Sequence, residues 1–255
     1  MKTKAIIKHI TQWMIDYANS SNTKGFVIGI SGGIDSAITS VLAAKTKIPL
    51  ICIEMPIHQN TTQVERGKMH IKWLKQNFSN VSSIEMDLSS VFDKFIENIP
   101  EKKKSELSLV NTRARLRMTT LYYFAQAKNH LVLGTGNKVE DFGIGFFTKY
   151  GDGAVDISPI ADLLKSEVYK IGESLGIQNE ILHAAPTDGL WEEDKTDEEQ
   201  IGATYTELEW AMSYNHKEKI NKRQKEVLNI FKKFNCKNQH KMNPTPICKI
   251  PKHLK

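Results

Sequence analysis

The 255-residue chain is short of several things, and each shortage excludes a class of protein. It holds three cysteines, Cys52, Cys236 and Cys248, with no CxxC spacing among them. That rules out a disulfide framework or a zinc ribbon, and the odd count suits a reducing, cytoplasmic setting. No apolar run approaches the ~20 residues that span a bilayer. The amino-terminal stretch MKTKAIIKHITQWMIDYANS lacks the unbroken apolar core and small-residue cleavage site of a signal peptide. Its apolar residues Ile6, Ile7, Ile10, Met14 and Ile15 recur at helical spacing instead, predicting an amphipathic first helix. No internal repeat and no Gly/Ser/Pro-rich linker interrupts the chain.

What remains is ordinary globular material, 40% apolar and 25% charged, with a net charge of +6. The charge is uneven. Residues 216–255 carry twelve lysines and arginines against Glu218 and Glu226, while TDGLWEEDKTDEEQ before them is acidic. A basic tail fits nucleic acid, a phosphate-rich small ligand, or simply a solvated helix face, since Ile220, Val227, Leu228 and Phe231 also keep helical spacing.

Short apolar runs read as buried strands at 25–30, 48–55, 81–88 and 130–136. Between them lie helical patterns in IDSAITSVLAAKT, TTQVERGKMHIKWLKQNF and Glu106 to Lys128. This alternation predicts an α/β fold, a doubly wound, mostly parallel sheet flanked by helices; the expected count of five strands exceeds the four runs by one. After Gly151 the pattern is mostly helical. A single domain over 1–255 is expected, with a sheet core at about 20–160 and a helical carboxy-terminal part at about 161–255. Residues 100–108 read as an exposed loop, and 186–199 as a loop long enough to serve as a lid.

The stretch GFVIGISGGIDSAIT closes the first strand and opens a helix, the place where open α/β sheets bind ligands. Glycines let backbone N–H groups converge on an oxyanion, and the helix amino terminus adds a favourable dipole. Ser31 and Ser36 add hydroxyl donors. The lysine of GxxxxGK[ST] is missing, and GxGxxG cannot be threaded through GISGGIDS. Asp35 would repel a phosphate unless a cation intervened, so it implies Mg²⁺; its plainer role is to cap the following helix.

SGGIDS at the end of a first strand resembles the pyrophosphate loop of the ATP pyrophosphatase, or adenine nucleotide α-hydrolase, superfamily. These enzymes cut ATP between its α- and β-phosphates, adenylate a substrate oxygen and let a nucleophile displace AMP. The later strings NTRARLRM, LGTGNKVE, GFFTKYGDGAVDISPI and PTDGLW…TDEEQIGATY are similar in order and spacing to the ammonia-dependent NAD synthetases, over about residues 5–245. The resemblance implies that Gly29, Ile30, Ser31, Gly32, Gly33, Ile34, Asp35 and Ser36 cradle ATP, with Arg115, Thr135, Lys165 and Thr187 as further ATP contacts. It implies Asp35 and Glu140 as Mg²⁺ carboxylates, and Arg117, Lys149, Asp156, His240 and Lys241 as contacts to deamido-NAD. Asp35, Asp152 and Lys165 would be catalytic, with Asp152 holding or deprotonating the incoming ammonium. The implied partners are small molecules (ATP, deamido-NAD and ammonia), with neither nucleic acid nor membrane, in a homodimer whose sites lie at the subunit interface. The chain's length leaves no room for a glutaminase domain, so free ammonia is the expected nitrogen source.

Two departures from the family pattern stand out. One extra residue lies between Glu140 and the Phe146–Phe147 pair, and Ala154 replaces a glycine in GDGAVD. Two alternative readings share the loop: a tRNA-modifying ATP pyrophosphatase, favoured by the basic tail, and a non-catalytic nucleotide-binding protein, disfavoured by the presence of both Asp35 and Glu140.

Overall fold

The computed structural model describes residues 1–100, 105–187, 196–215 and 219–255. In chain order these form α1 (Thr3–Ser20), β1 (Gly25–Gly29), α2 (Ile34–Lys45), β2 (Leu50–Glu54), α3 (Thr61–Asn77), β3 (Val81–Glu85) and α4 (Ser89–Glu97). They continue with α5 (Glu106–Lys128), β4 (His130–Val132), a π-helical segment (Lys138–Ile144), α6 (Lys165–Leu175), α7 (Asn179–Leu182), α8 (Asp197–Ile201), α9 (Tyr205–Ser213) and α10 (Lys222–Met242).

The strands pair in parallel in the order β3-β2-β1-β4. The chain thus steps outward from β1 through β2 to β3, then returns to the other side of β1. That reversal opens a crevice at the carboxyl ends of β1 and β4, where such sheets bind ligands. β1 and β2 are apolar on both faces because helices cover both. One face packs Phe26, Ile28, Leu50 and Cys52 against α1, α2 and α6, where Met14, Ile38, Leu42 and Ile171 are all fully buried. Burying such a side chain stabilises the fold by about 1.5–3 kcal/mol each. The other face packs Val27, Ile51, Ile53 and Val132 against α4 and α5. A third core, built on Val139, Ile144, Leu208 and Val227, joins the π-helical segment to α8, α9 and α10.

Among the described residues the sheet has four strands where five were expected. The segment after Val155 does run beside β4: Asp156 N–H donates to Val132 O at 3.0 Å and Gly134 N–H to Ile157 O at 2.8 Å. It amounts to a single parallel bridge, Leu133 to Ile157. Pro159, which has no N–H to donate, follows two residues later and stops the ladder. After Thr196 the chain forms two helices, α8 and α9, separated at Gly202, whose φ of 84° ends α8.

No described helix is long and apolar enough to cross a membrane. The expected lid falls mostly outside the described residues. Its described ends meet where Asp197 N–H donates to Pro186 O at 3.0 Å.

Candidate active site

β1 ends at Gly29, and the chain turns through Ser31, Gly32 and Gly33 into α2. Gly32 sits at φ 79°, and a Cβ there would lie 2.4 Å from the backbone oxygen of Gln63 on α3, so only glycine fits. The two loop serines brace the turn rather than pointing free donors outward. Their hydroxyls lie 3.0 Å apart, Gly33 N–H donates to Ser31 Oγ at 3.2 Å, and Ser36 Oγ donates to Gly33 O at 3.0 Å. Arg66 Nε closes the outer side by donating to Gly32 O at 3.3 Å. The result is a rigid cradle at the amino terminus of a twelve-residue helix, suited to an anion.

Asp35, in the first turn of α2, does not cap its own helix through the side chain. It meets residues from three distant segments. Lys165 Nζ, at the start of α6, donates to Asp35 Oδ2 at 2.6 Å and to Glu140 Oε1 at 3.1 Å. Asn137 Nδ2 donates to Asp35 Oδ1 at 3.1 Å, while Asn137 Oδ1 accepts from Val139 N–H at 3.1 Å and Glu140 N–H at 3.2 Å. Asn137 therefore caps the π-helical segment and ties it to Asp35. On the far side of Glu140, Tyr205 donates to Glu140 Oε1 at 2.5 Å and lies 3.2 Å from Asp197 Oδ2. Lys165 also sits 4.8 Å over the Tyr205 ring.

Charge in this cluster is out of balance. Burial raises the pKa of Asp35, and neighbouring Glu140 raises it further, against the pull of Lys165. Burial, then Glu140, Asp152 and Asp35, lift the Asp141 carboxyl well above the usual carboxylate range. Burial works against the charge on Lys165, but Asp35 and Glu140 override it and hold the ammonium above the ordinary lysine value. One ammonium thus serves both Asp35 and Glu140, a surplus of negative charge that a further cation would relieve.

The π-helical geometry accounts for the extra residue after Glu140. Gly145 N–H reaches back to Glu140 O, five residues earlier, so this turn holds one residue more than an α-turn. The wider turn takes up the additional residue, and Phe146 and Phe147 line the same cleft as Glu140. Ala154 also fits, since its φ is not positive and nothing in its backbone requires glycine.

A cleft of about 650 Å³ opens beside this cluster. The loop residues Gly29, Ile30, Ser31, Gly33, Ile34, Asp35 and Ser36 line it, as do Thr135, Glu140, Lys165 and Thr187. Its other wall brings in Arg115, Arg117, Lys149, Asp152, His240 and Lys241. These side chains are held in place: Arg117 Nε donates to Met55 O at 2.9 Å and its NH2 to Gln59 Oε1 at 3.1 Å. Arg115 donates to Lys149 O at 3.2 Å, Lys149 Nζ to His240 O, and Lys241 Nζ to Phe147 O at 2.6 Å. Asp152 is open to the cleft and accepts from Thr148 N–H at 3.0 Å.

Two of the expected residues lie elsewhere. Gly32 shapes the loop from behind. Asp156 is turned to the sheet, accepting from Val132 N–H at 2.8 Å and Tyr122 OH at 3.1 Å, and does not line the cleft. Arg113, an i, i+4 neighbour of Arg117, stacks on Phe92 at 4.8 Å instead. Sequence reasoning missed Asn137, Asp141 and Tyr205. An asparagine ahead of a helical run is an N-cap signal that could have flagged Asn137. Tyr205 carries no local signal.

A family model described as NAD synthase matches residues 6–245. The chain is 40% identical to the NH(3)-dependent NAD(+) synthetase of Mycoplasma genitalium, over 80% of each chain. It is 34% identical to that of Syntrophomonas wolfei over the full length of both. Among solved structures, NMN synthetase from Francisella tularensis matches with a TM-score of 0.87 at 30% identity, covering 99% of each chain. The NH3-dependent NAD synthetase from Campylobacter jejuni matches with a TM-score of 0.79 at 25% identity, covering 98% of this chain and all of that one.

Proposed function

Since the chain belongs to the NAD synthase family, we propose that it joins ammonia to deamido-NAD at the expense of ATP, giving NAD, AMP and pyrophosphate. The observation that carries this reading is the meeting of the SGGIDS cradle, Asp35, Glu140 and Lys165 at the carboxyl end of β1.

The donor set fits Mg²⁺. Asp35 and Glu140 both reach one ammonium, and their surplus charge calls for a second cation. Among the described residues no group of three or more acidic, histidine or cysteine side chains is arranged to hold a metal alone. That accords with Mg²⁺, which commonly takes one or two carboxylates and completes its shell with phosphate oxygens and water. Bound there, Mg²⁺ would supply positive charge to the departing pyrophosphate.

The chain's own groups then have distinct tasks. The amides of the cradle hold the β- and γ-phosphates, and Lys165 neutralises charge on the leaving pyrophosphate. The nicotinate carboxylate attacks the α-phosphorus, the bond to the β-phosphate oxygen breaks, and a mixed anhydride with AMP forms. Ammonia adds to the anhydride carbonyl, loses a proton and expels AMP. Asp152, open to the cleft, orients the ammonium before attack. Arg115, Arg117, Lys149, His240 and Lys241 hold the dinucleotide, while Thr135 and Thr187 contact ATP. Asp156 supports the site from behind, through β4 and Tyr122. Most of the rate gain in such a scheme comes from positioning and from shielding the anhydride from water. The enzyme works in the cytoplasm as a homodimer with its sites at the subunit interface.

The Francisella tularensis relative favours a second reading of the acceptor, nicotinate mononucleotide, which offers the same carboxylate. Both readings stand or fall with adenylation. The wild type should release AMP and pyrophosphate rather than ADP and phosphate, and Asp35→Ala should slow AMP release by at least about a hundredfold. AMP release from Asp35→Ala at the parental rate would contradict the assignment of Asp35.

A further inference from the structure

Tyr205 opens α9, far from the glycine loop in sequence, and none of the tasks set out above falls to it. Thr204 fixes where the helix begins: its side chain accepts from Glu207 N–H, and Glu207 Oε2 accepts from Thr204 N–H at 2.9 Å. Tyr205 N–H donates to Glu198 Oε1 at 2.8 Å, which ties the residue to α8 as well. It is 6% exposed, packs in the third core with Leu208 and Ala211, and has the Lys165 ammonium over its ring. A phenol buried this firmly needs an acceptor for its one proton. Two carboxylates compete for it, Glu140 at 2.5 Å and Asp197 at 3.2 Å, and the shorter contact is the one to Glu140.

The way Glu140 is held shows what that contact does. Its two donors, Tyr205 OH and Lys165 Nζ, share Oε1. Lys165 is drawn harder to Asp35, at 2.6 Å against 3.1 Å, so the phenol is the tighter hold on Glu140. Oε2 accepts from no described residue, yet it is not sealed away: the side chain keeps 16% of its surface and lines the cleft. Two donors on one oxygen fix the plane of the carboxylate and leave the other oxygen for a ligand. We propose that Tyr205 is a positioning residue for the metal: by binding Oε1 it presents Oε2 of Glu140 to the Mg²⁺ that accompanies ATP. Donors behind a ligating side chain commonly set metal affinity by about 10- to 100-fold. The assignment rests on the reading of Asp35 and Glu140 as a Mg²⁺ site.

The test is calorimetric titration with α,β-methylene-ATP, which cannot be cut at the reacting bond, in EDTA and then in saturating Mn²⁺. Affinity in EDTA reports on the cradle, and the gain on adding Mn²⁺ reports on the metal site. Tyr205→Phe keeps the ring and its packing and removes only the hydroxyl. It should leave the EDTA affinity near that of wild type and cut the Mn²⁺ gain by about 10- to 100-fold. Glu140→Gln should cut the gain as well. The double variant should fall no lower than Glu140→Gln alone, because the hydroxyl acts through that carboxylate. An undiminished Mn²⁺ gain in Tyr205→Phe would overturn the proposal, as would equal losses with and without metal, the mark of a merely structural role. Losses that multiply in the double variant would overturn it too. A wild type that gained nothing from Mn²⁺ would overturn the Mg²⁺ reading itself, and this assignment with it.

Discussion

Lys165 and His70 show how differently burial treats two ionisable side chains. Lys165 is 3% exposed and keeps its charge because Asp35 and Glu140 both face it. His70 is fully buried with no carboxylate against it; its Nε2 lies 2.8 Å from Ser40 Oγ, and its ring stacks on Trp73. Burial pulls its pKa from 6.5 down to about 4. The unfolded chain therefore takes up a proton near pH 6.5, while the folded chain resists until about pH 4. Stability contributed by neutral His70 is complete above pH 6.5 and is lost as pH falls toward 4, by at most about 3 kcal/mol. Denaturant unfolding at pH 7 and pH 4.5 should show this loss, and His70→Gln should reduce it. An identical pH dependence in the variant would show that other groups carry the acid sensitivity.

At the scale of elements, the SGGIDS turn was legible because its glycines, serines and aspartate are neighbours in sequence and act together. Gly32 makes the case. Gly32→Ala should cost well over the ~1–2 kcal/mol of a left-handed alanine, because its Cβ also meets Gln63 O at 2.4 Å, and ATP affinity should fall with it. Gly176→Ala is the control: at φ 73° with no atom within 4 Å, it should lose only the conformational share. Thermal unfolding and ATP titration of both separate the two causes, and equal stability losses would contradict the close-contact argument. The expected fifth strand was tied to no run of residues, and the one segment that runs beside β4 forms a single bridge at Ile157. Whether a ladder continues depends on Pro159 and on how little of β4 is available. α4 passed unnoticed since Ser89–Glu97 is short and falls between the strand run ending at residue 88 and the loop expected at 100–108. The π-helical segment was visible only as a one-residue mismatch, which the backbone absorbs by widening a single turn.

For the whole molecule, sequence reasoning reached the doubly wound, mostly parallel sheet and many residues that line the cleft, but not the contacts that knit the cleft together. Tyr205 meets Glu140 across 65 residues and Lys165 meets Asp35 across 130, and periodicity carries no trace of such pairs. The surface also bears on assembly. Val91 and Phe95 on α4, and Leu107 and Tyr123 on α5, are 47%, 50%, 56% and 69% exposed, and Leu107 also lines the cleft. Exposed apolar side chains of this kind are what a dimer interface would cover. Sedimentation should give twice the 29.0 kDa chain mass, and a Phe95→Asp/Tyr123→Asp double variant should shift it to monomer. A monomeric wild type at micromolar concentration would contradict the dimer. The central claim, that this cleft adenylates a nicotinate carboxylate and hands it to ammonia, is tested most directly by ¹⁵N-ammonium. The protein is incubated with ATP, Mg²⁺ and an equimolar mixture of deamido-NAD and nicotinate mononucleotide, and the products are weighed by mass spectrometry. The account predicts one ¹⁵N in the amide of NAD, with one AMP and one pyrophosphate released per amide formed. Label in the mononucleotide product instead would move the acceptor to the smaller substrate, and no labelled amide on either would contradict the account.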